Sequence, residues 1–183
     1  MRILVAYYSE TGNTEKVAKA IHEEVSRKHE AHLRKIDEVT PETIGDYDLV
    51  FLGSPCHSTD VAAPVKGLLK AMPRSPRFRL AGFFTHSVSS PERWPDARDY
   101  FNIWAGRCAA SFEEASREKQ AKFLGCYNCE GVPSQPVQEF IRNGILKSAD
   151  TWEEYIEEAS KHPDVEDLRK AKEFARNVLS KIR

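Results

Sequence analysis

Ser9-Glu10-Thr11-Gly12-Asn13-Thr14 is the stretch on which the reading of this chain turns. An apolar run, Ile3-Leu4-Val5-Ala6-Tyr7-Tyr8, precedes it and reads as a buried strand. Val17, Ala18, Ile21 and Val25 follow it at helical spacing. A short loop of hydroxyl residues and one glycine therefore joins a strand to the start of a helix. The first backbone N–H groups of a helix have no internal partner, and the aligned peptide dipoles favour a negative charge there. Ser9, Thr11 and Thr14 can add hydroxyl donors, and Gly12 lets the backbone curl close to an anion. A plain helix cap is the simpler account of any Ser or Thr at such a place. Three hydroxyls, a Gly and an Asn in six residues are more than a cap requires, so the expectation is a phosphate site.

Working outward, the chain of 183 residues is long enough for one well-buried domain and short for two. With 40% hydrophobic and 30% charged residues it reads as an ordinary globular protein. Lys plus Arg number 27 against 28 Asp plus Glu, so there is no electrostatic footprint for nucleic acid. The first apolar run is too short to cross a bilayer and lacks a basic flank and cleavage site. No membrane association and a cytoplasmic location are expected. Four cysteines in a chain of this length do not make a disulfide scaffold, and reduced thiols are the default.

The patterns then alternate. Ala31 to Ile36 reads as an edge strand, and Thr40 to Gly45 as a single helical turn. Tyr47 to Gly53, carrying Leu49-Val50-Phe51-Leu52, reads as a central strand covered on both faces. Val61, Val65, Leu68, Leu69 and Met72 mark a helix, and Phe78 to Phe84 a strand. Asp96 is placed to cap one long helix with Phe101, Trp104, Cys108, Phe112 and Ala115 on one face. Lys122 to Tyr127 is the last strand. Such alternation argues an α/β fold on a parallel sheet. Ser134 to Ile141 reads as a short helix with Pro136 in its first turn. Asp150 to Glu153 has capping-box spacing ahead of an apolar face of Trp152, Tyr155, Ile156 and Ala159. Asp164 to Ile182 is the closing helix, with Val165, Leu168, Ala171, Ala175, Val178, Leu179 and Ile182 on its stripe. Residues 1–183 are read as one domain, with about 131–162 as an insertion before that helix.

In an open parallel sheet, ligands bind beyond the carboxyl ends of the strands, where strand order reverses. The loop after the first strand is the phosphate loop. Gly53 to Asp60 follows the third strand, and Thr85 to Pro91 the fourth. The three are expected to converge on one crevice. His57 is the only flat side chain of the second loop; in the third the candidates are His86 and, further on, Trp94.

The pattern Ser-Glu-Thr-Gly-Asn-Thr after a hydrophobic strand resembles the FMN phosphate loop of the flavodoxins, Thr/Ser-x-Thr-Gly-x-Thr, with every constrained position filled. The resemblance implies a flavodoxin-like, doubly wound, five-stranded parallel sheet in order 2-1-3-4-5 with helices on both faces, and a noncovalent FMN. It implies that Ser9, Glu10, Thr11, Gly12, Asn13 and Thr14 hold the phosphate. It implies that Ser54, Pro55, Cys56, His57, Ser58 and Thr59, with Thr85, His86, Ser87, Val88 and Ser89, hold the ring. No nucleophile or metal ligand is expected, because the flavin carries the redox chemistry. Gly53-Ser54-Pro55 with Ala63-Pro64-Val65-Lys66 also resembles the flavodoxin-like quinone reductases. One departure stands out. Electron-carrying flavodoxins flank the ring with an aromatic from each of the two loops, and here the second loop holds no Phe, Tyr or Trp. Nor does the balanced charge match the acidity of many flavodoxins.

Cys126-Tyr127-Asn128-Cys129 is a C-x-x-C. A zinc site would need a second ligand pair, and a thioredoxin-like pair would open a helix. This one ends a strand, so two small apolar residues is the favoured reading, although the last strand also ends on the crevice side, where Cys126 could lie near the flavin. The chain lacks G-x-x-x-x-G-K-[ST], so it is no P-loop hydrolase. It lacks the acidic cluster of a receiver domain, and no cysteine begins a Cys-x₅-Arg phosphatase loop. The resulting expectation is an FMN-binding electron carrier serving a redox partner protein or small acceptor. The alternative is an NAD(P)H-dependent FMN reductase of quinones or similar small acceptors. Oligomeric state is left open.

Overall fold

A computed structural model describes residues 1–89, 97–146 and 148–182. The expected Asp96 cap, and Ser90, Pro91 and Trp94, lie outside the described residues.

Strand β1 (Arg2–Tyr7) is flanked in parallel by β2 (Glu30–Lys35) and β3 (Leu49–His57), and β5 (Arg79–His86) and β6 (Lys122–Glu130) extend the sheet beyond β3. The order is β2-β1-β3-β5-β6. That is the expected 2-1-3-4-5 order, because the two-residue β4 (Asp60–Val61) only pairs antiparallel with the end of β3. Successive strand residues face opposite sides. Ile3, Val5 and Tyr7 accordingly pack under α1 (Asn13–Val25) and α7 (Val165–Ser180). Leu4 and Ala6 pack toward α2 (Ala63–Ala71) and α4 (Gly106–Lys119) on the other face. Both faces of β1 and β3 are thus buried, which is why their sequences are continuously apolar. Edge strand β2 is only partly covered and alternates weakly.

Four local expectations are corrected. The segment after Gly53 is not a loop: β3 runs on to His57, and a two-residue turn at Ser58 and Thr59 leads into β4. The single long helix is two, α3 (Ala97–Trp104) and α4, broken at the buried Ala105. The break lets α4 pack along the sheet while α3 sets Phe101 over Phe84 and His86 at the end of β5. Asp150 does not begin a capping box. It lies within α6 (Ala149–Ala159), whose N-cap is Ser148 and makes no side-chain cap bond. A capping box does exist at α7, between Asp164 and Asp167. Val165 leaves the α7 stripe and is 86% exposed, as the first residue of that helix.

Between β6 and α7 the chain forms α5 (Gln135–Phe140), a π-turn (Ile141–Ile145) and α6. These build a small apolar cluster of their own. Ile141, Tyr155 and Ala159 are buried, with Val137, Leu146 and Trp152 packed around them. The Tyr155 hydroxyl donates to the Ser87 carbonyl at 2.8 Å, tying this segment to the end of β5.

Candidate functional site

The carboxyl ends of β1, β3 and β5 bring the three segments together. Gly12 sits at the N-cap of α1 with φ +86°, a left-handed conformation that glycine adopts without steric cost. No side chain caps the helix. Gly12 N–H donates to Ser9 Oγ at 3.1 Å, and Asn13 Nδ2 donates to Thr11 Oγ1 at 2.9 Å. Both hydroxyl oxygens therefore act as acceptors inside the loop, which leaves their own O–H groups to donate outward. Asn13 is a brace: its amide also donates to the Val132 carbonyl at 2.7 Å. Thr14 is buried, and its hydroxyl shares a 2.9 Å hydrogen bond with that of Thr85 at the end of β5. The Glu10 carboxylate points elsewhere. It accepts from the Tyr8 hydroxyl at 2.7 Å and lies 3.4 Å from His57 Nε2. A carboxylate would repel a phosphate, so Glu10 has only its backbone N–H to offer.

In the second segment, Ser54 is fully buried, and its hydroxyl accepts from Ala62 N–H at 2.8 Å and donates to the Pro55 carbonyl. It pins the β3–β4 hairpin. Ser58 and Thr59 both have positive φ, +47° and +73°. That is the type I′ pattern of a two-residue hairpin, usually filled by Asn and Gly. His57 stands edge-on to Tyr8, ring centroids 6.1 Å apart, on the rim of the first loop. In the third segment His86 Nδ1 accepts from Val88 N–H at 3.3 Å, so Nε2 carries the proton and donates to Asn128 Oδ1 at 3.1 Å. Burial pushes its pKa down to about 4, and the ring is neutral at pH 7.

Cys56, Ser58, Thr59 and the stretch from His86 to Ser89 line a cavity of about 660 Å³. Its remaining walls come from elsewhere in the chain. Tyr100 and Trp104 of α3, Phe140 of α5, Ile145, Leu146 and Tyr155 complete it. Trp104 and Phe140 meet edge to face at 5.6 Å. The aromatic surface absent from the second loop is thus supplied by α3 and by the segment after β6. Sequence reasoning missed these residues. By its spacing Trp104 belongs to a buried helix face, and no local signal marks it as a wall of the cavity. His57 does not line the cavity.

Cys126 and Cys129 do not form a pair. Residues i and i+3 of a strand face opposite sides. Cys126 packs with the α2/α4 core and Cys129 with the α1/α7 core. All four cysteines are free thiols.

The sheet is doubly wound, with a glycine-bearing loop and no side-chain cap after its first strand, and an apolar cavity beside the ends of β3 and β5. Residues 4–176 match the family model of the flavodoxin domain, and the chain belongs to that family. It is 26% identical over 180 residues to the uncharacterized protein MJ0298 of Methanocaldococcus jannaschii, spanning 98% of this chain and 99% of that one. It is 26% identical over 190 residues to the flavodoxin-like domain-containing protein BilS of Clostridioides difficile, spanning 99% and 98%. Among solved structures, oxidised flavodoxin 2 from Bacillus cereus superposes with a TM-score of 0.64 at 19% identity, covering 99% of both chains. That likeness is one of fold. Among the described residues no helix is long and apolar enough to cross a membrane.

Proposed function

We propose that this chain binds FMN noncovalently and transfers electrons to a redox partner protein or small acceptor. The observation that carries the reading is the phosphate loop. An α1 N-terminus without a side-chain cap, a left-handed Gly12 and two hydroxyls with donors to spare form a cradle suited to a phosphate dianion. Such a cradle needs no Lys or Arg. In this reading Ser9, Thr11 and Thr14 give hydroxyls, and Glu10, Gly12 and Asn13 give backbone N–H groups. The ring would be held by Cys56, Ser58, Thr59 and the stretch from His86 to Ser89, which line the cavity, some of them through backbone atoms, and Ser54 shapes the hairpin that carries the first three. The flavin, when bound, supplies the redox chemistry. The protein orients it, excludes water with the apolar cavity walls, and presents a neutral His86 that adds no positive charge. The chain acts as a single domain, residues 1–183, with 131–162 inserted as a wall of the site. Four free thiols fit a reducing, cytoplasmic compartment.

The cavity supports a second reading, an NAD(P)H-dependent reductase of quinone-like acceptors. Its mostly aromatic and aliphatic walls suit a flat acceptor beside the ring. Purified protein titrated stepwise with reductant separates the two. A carrier resolves two one-electron steps and oxidises NADPH negligibly. A reductase passes through one two-electron step and turns over quinone quickly with NADPH. Thr11→Val with Thr14→Val weakens FMN more than riboflavin, since only FMN presents the phosphate. Equal loss for both ligands would refute the loop assignment.

A further inference from the structure

We propose that Cys56 and Cys108 are a redox-active dithiol pair in the cavity wall, closing to a disulfide by exchange with a small-molecule disulfide. The pair arises from the break between α3 and α4. In an unbroken helix the Trp104 carbonyl would accept from Cys108 N–H. Here Cys108 N–H donates to the Ala105 carbonyl at 3.0 Å, and the Trp104 carbonyl accepts from the Cys56 thiol at 3.1 Å. Cys56 Sγ is thereby held at the first turn of the 14-residue α4, whose N-cap makes no side-chain bond. Cys108 lies in that first turn and is buried in the core cluster against which Cys56 packs, so the break brings the two cysteines together and each influences the other's ionisation.

The two thiols differ in the way such a pair requires. Cys56 is half-buried and lines the cavity, so a solute can reach it. Cys108 is fully buried, so no solute reaches it directly. The Cys108 thiol donates toward Cys56 and lowers its pKa, against the opposing effects of burial and of Asp60. The same contact, with burial, holds the proton on Cys108. The Asp60 charge is itself compensated, by Lys66 at 2.6 Å and the Ser111 hydroxyl.

The step balances without any metal or flavin. The Cys56 thiolate attacks one sulfur of a disulfide RS–SR, forms Cys56–S–SR and releases RS⁻. Cys56 then bears no charge, so the bar to ionising Cys108 is lifted. Cys108 loses its proton to the released thiolate and attacks the Cys56 sulfur. The Cys56–Cys108 bond forms and the second RS⁻ leaves. Two thiols are oxidised and one external disulfide is reduced. The bond would tie the end of β3 to α4, next to the hairpin that lines the cavity.

Full-length protein incubated with oxidised glutathione, followed by thiol counting after unfolding and peptide mapping, tests this. The expected result is loss of two of the four thiols, a crosslinked Cys56–Cys108 peptide, and recovery with dithiothreitol. Cys108→Ala should trap glutathione on Cys56, Cys56→Ala should protect every remaining thiol, and Cys126→Ala should leave the crosslink intact. A mixed disulfide that persists on the unsubstituted protein would overturn the proposal. So would a Cys56–Cys126 crosslink, or no thiol loss at all. The map of the unsubstituted protein decides the matter even if Cys108→Ala folds poorly.

Discussion

The hydroxyls of Thr14 and Thr85, 71 residues apart in sequence, share a buried hydrogen bond of 2.9 Å. It joins the first turn of α1 to Thr85, the penultimate residue of β5, and so sets the loop after β1 against the segment carrying His86. Thr85→Val keeps the shape and leaves the buried Thr14 hydroxyl without its partner. A loss of about 1–2 kcal/mol in urea unfolding is expected. FMN affinity should fall as well, because the start of α1 is no longer held. An unchanged denaturation midpoint would show that the bond contributes nothing.

Gly131 allows the chain after β6 to pass the phosphate loop. A Cβ there would lie 2.9 Å from the Asn13 side-chain amide, which is buried and held by bonds to Thr11 and Val132. The backbone cannot easily retreat, since Gly131 N–H donates to the His86 carbonyl at 2.8 Å. Gly131→Ala should therefore weaken FMN binding several-fold while far-ultraviolet circular dichroism stays the same. Isothermal titration with FMN reads the effect, and wild-type affinity would refute it.

The hairpin turn carries strain. Thr59 is β-branched and has φ +73°, a conformation that costs about 1–2 kcal/mol for an L-residue other than glycine. Thr59→Gly removes that cost but loosens the unfolded chain, which offsets part of the gain. The net expectation is stabilisation of up to about 1 kcal/mol, seen as a melting point higher by about 2–4 °C. A lower melting point would mean that the Thr59 side chain contributes more than its backbone costs.

His86 makes stability depend on pH. Its folded pKa, about 4, is below the unfolded value, because burial disfavours the charged ring. Between pH 6.5 and 4 the unfolded chain takes up a proton that the folded chain refuses. Stability contributed by the neutral ring is complete above the unfolded pKa and is lost as pH falls through this window. The loss reaches up to about 3 kcal/mol at its acid end. Urea midpoints from pH 7 to 4.5 should fall less steeply for His86→Gln than for the wild type. Parallel curves would remove His86 from the account.

The parts of the fold legible in the sequence were those set by local periodicity and turn chemistry. Leu49-Val50-Phe51-Leu52 could only be a strand buried on both faces, and Ser134-Gln135-Pro136 marked the start of α5. Boundaries failed where a tertiary contact outweighed local pattern. Trp104 to Phe112 keeps helical spacing across Ala105, yet the chain breaks there, with Cys108 N–H bonded to the Ala105 carbonyl instead of that of Trp104. Ser54 to His57 reads as loop because of its Pro and polar residues, yet Ser54 and Pro55 pair with β5 and Cys56 and His57 with β4, which keeps the stretch extended. Cys126 and Cys129 drew notice by adjacency in sequence, although a strand necessarily separates them.

The sequence by itself determined the alternation of strands and helices, the glycine-bearing loop after β1, and through it the family. Each of these depends on residues within a few positions of one another, where backbone sterics and helix or strand periodicity act. Tertiary structure alone decided that Thr14 meets Thr85, that Cys56 meets Cys108, and that Trp104, Phe140 and Tyr155 wall the cavity. Those pairings depend on the register of parallel strands and on how helices seat against the sheet. Such placement follows from the simultaneous packing of the whole core, which no local stretch of residues encodes.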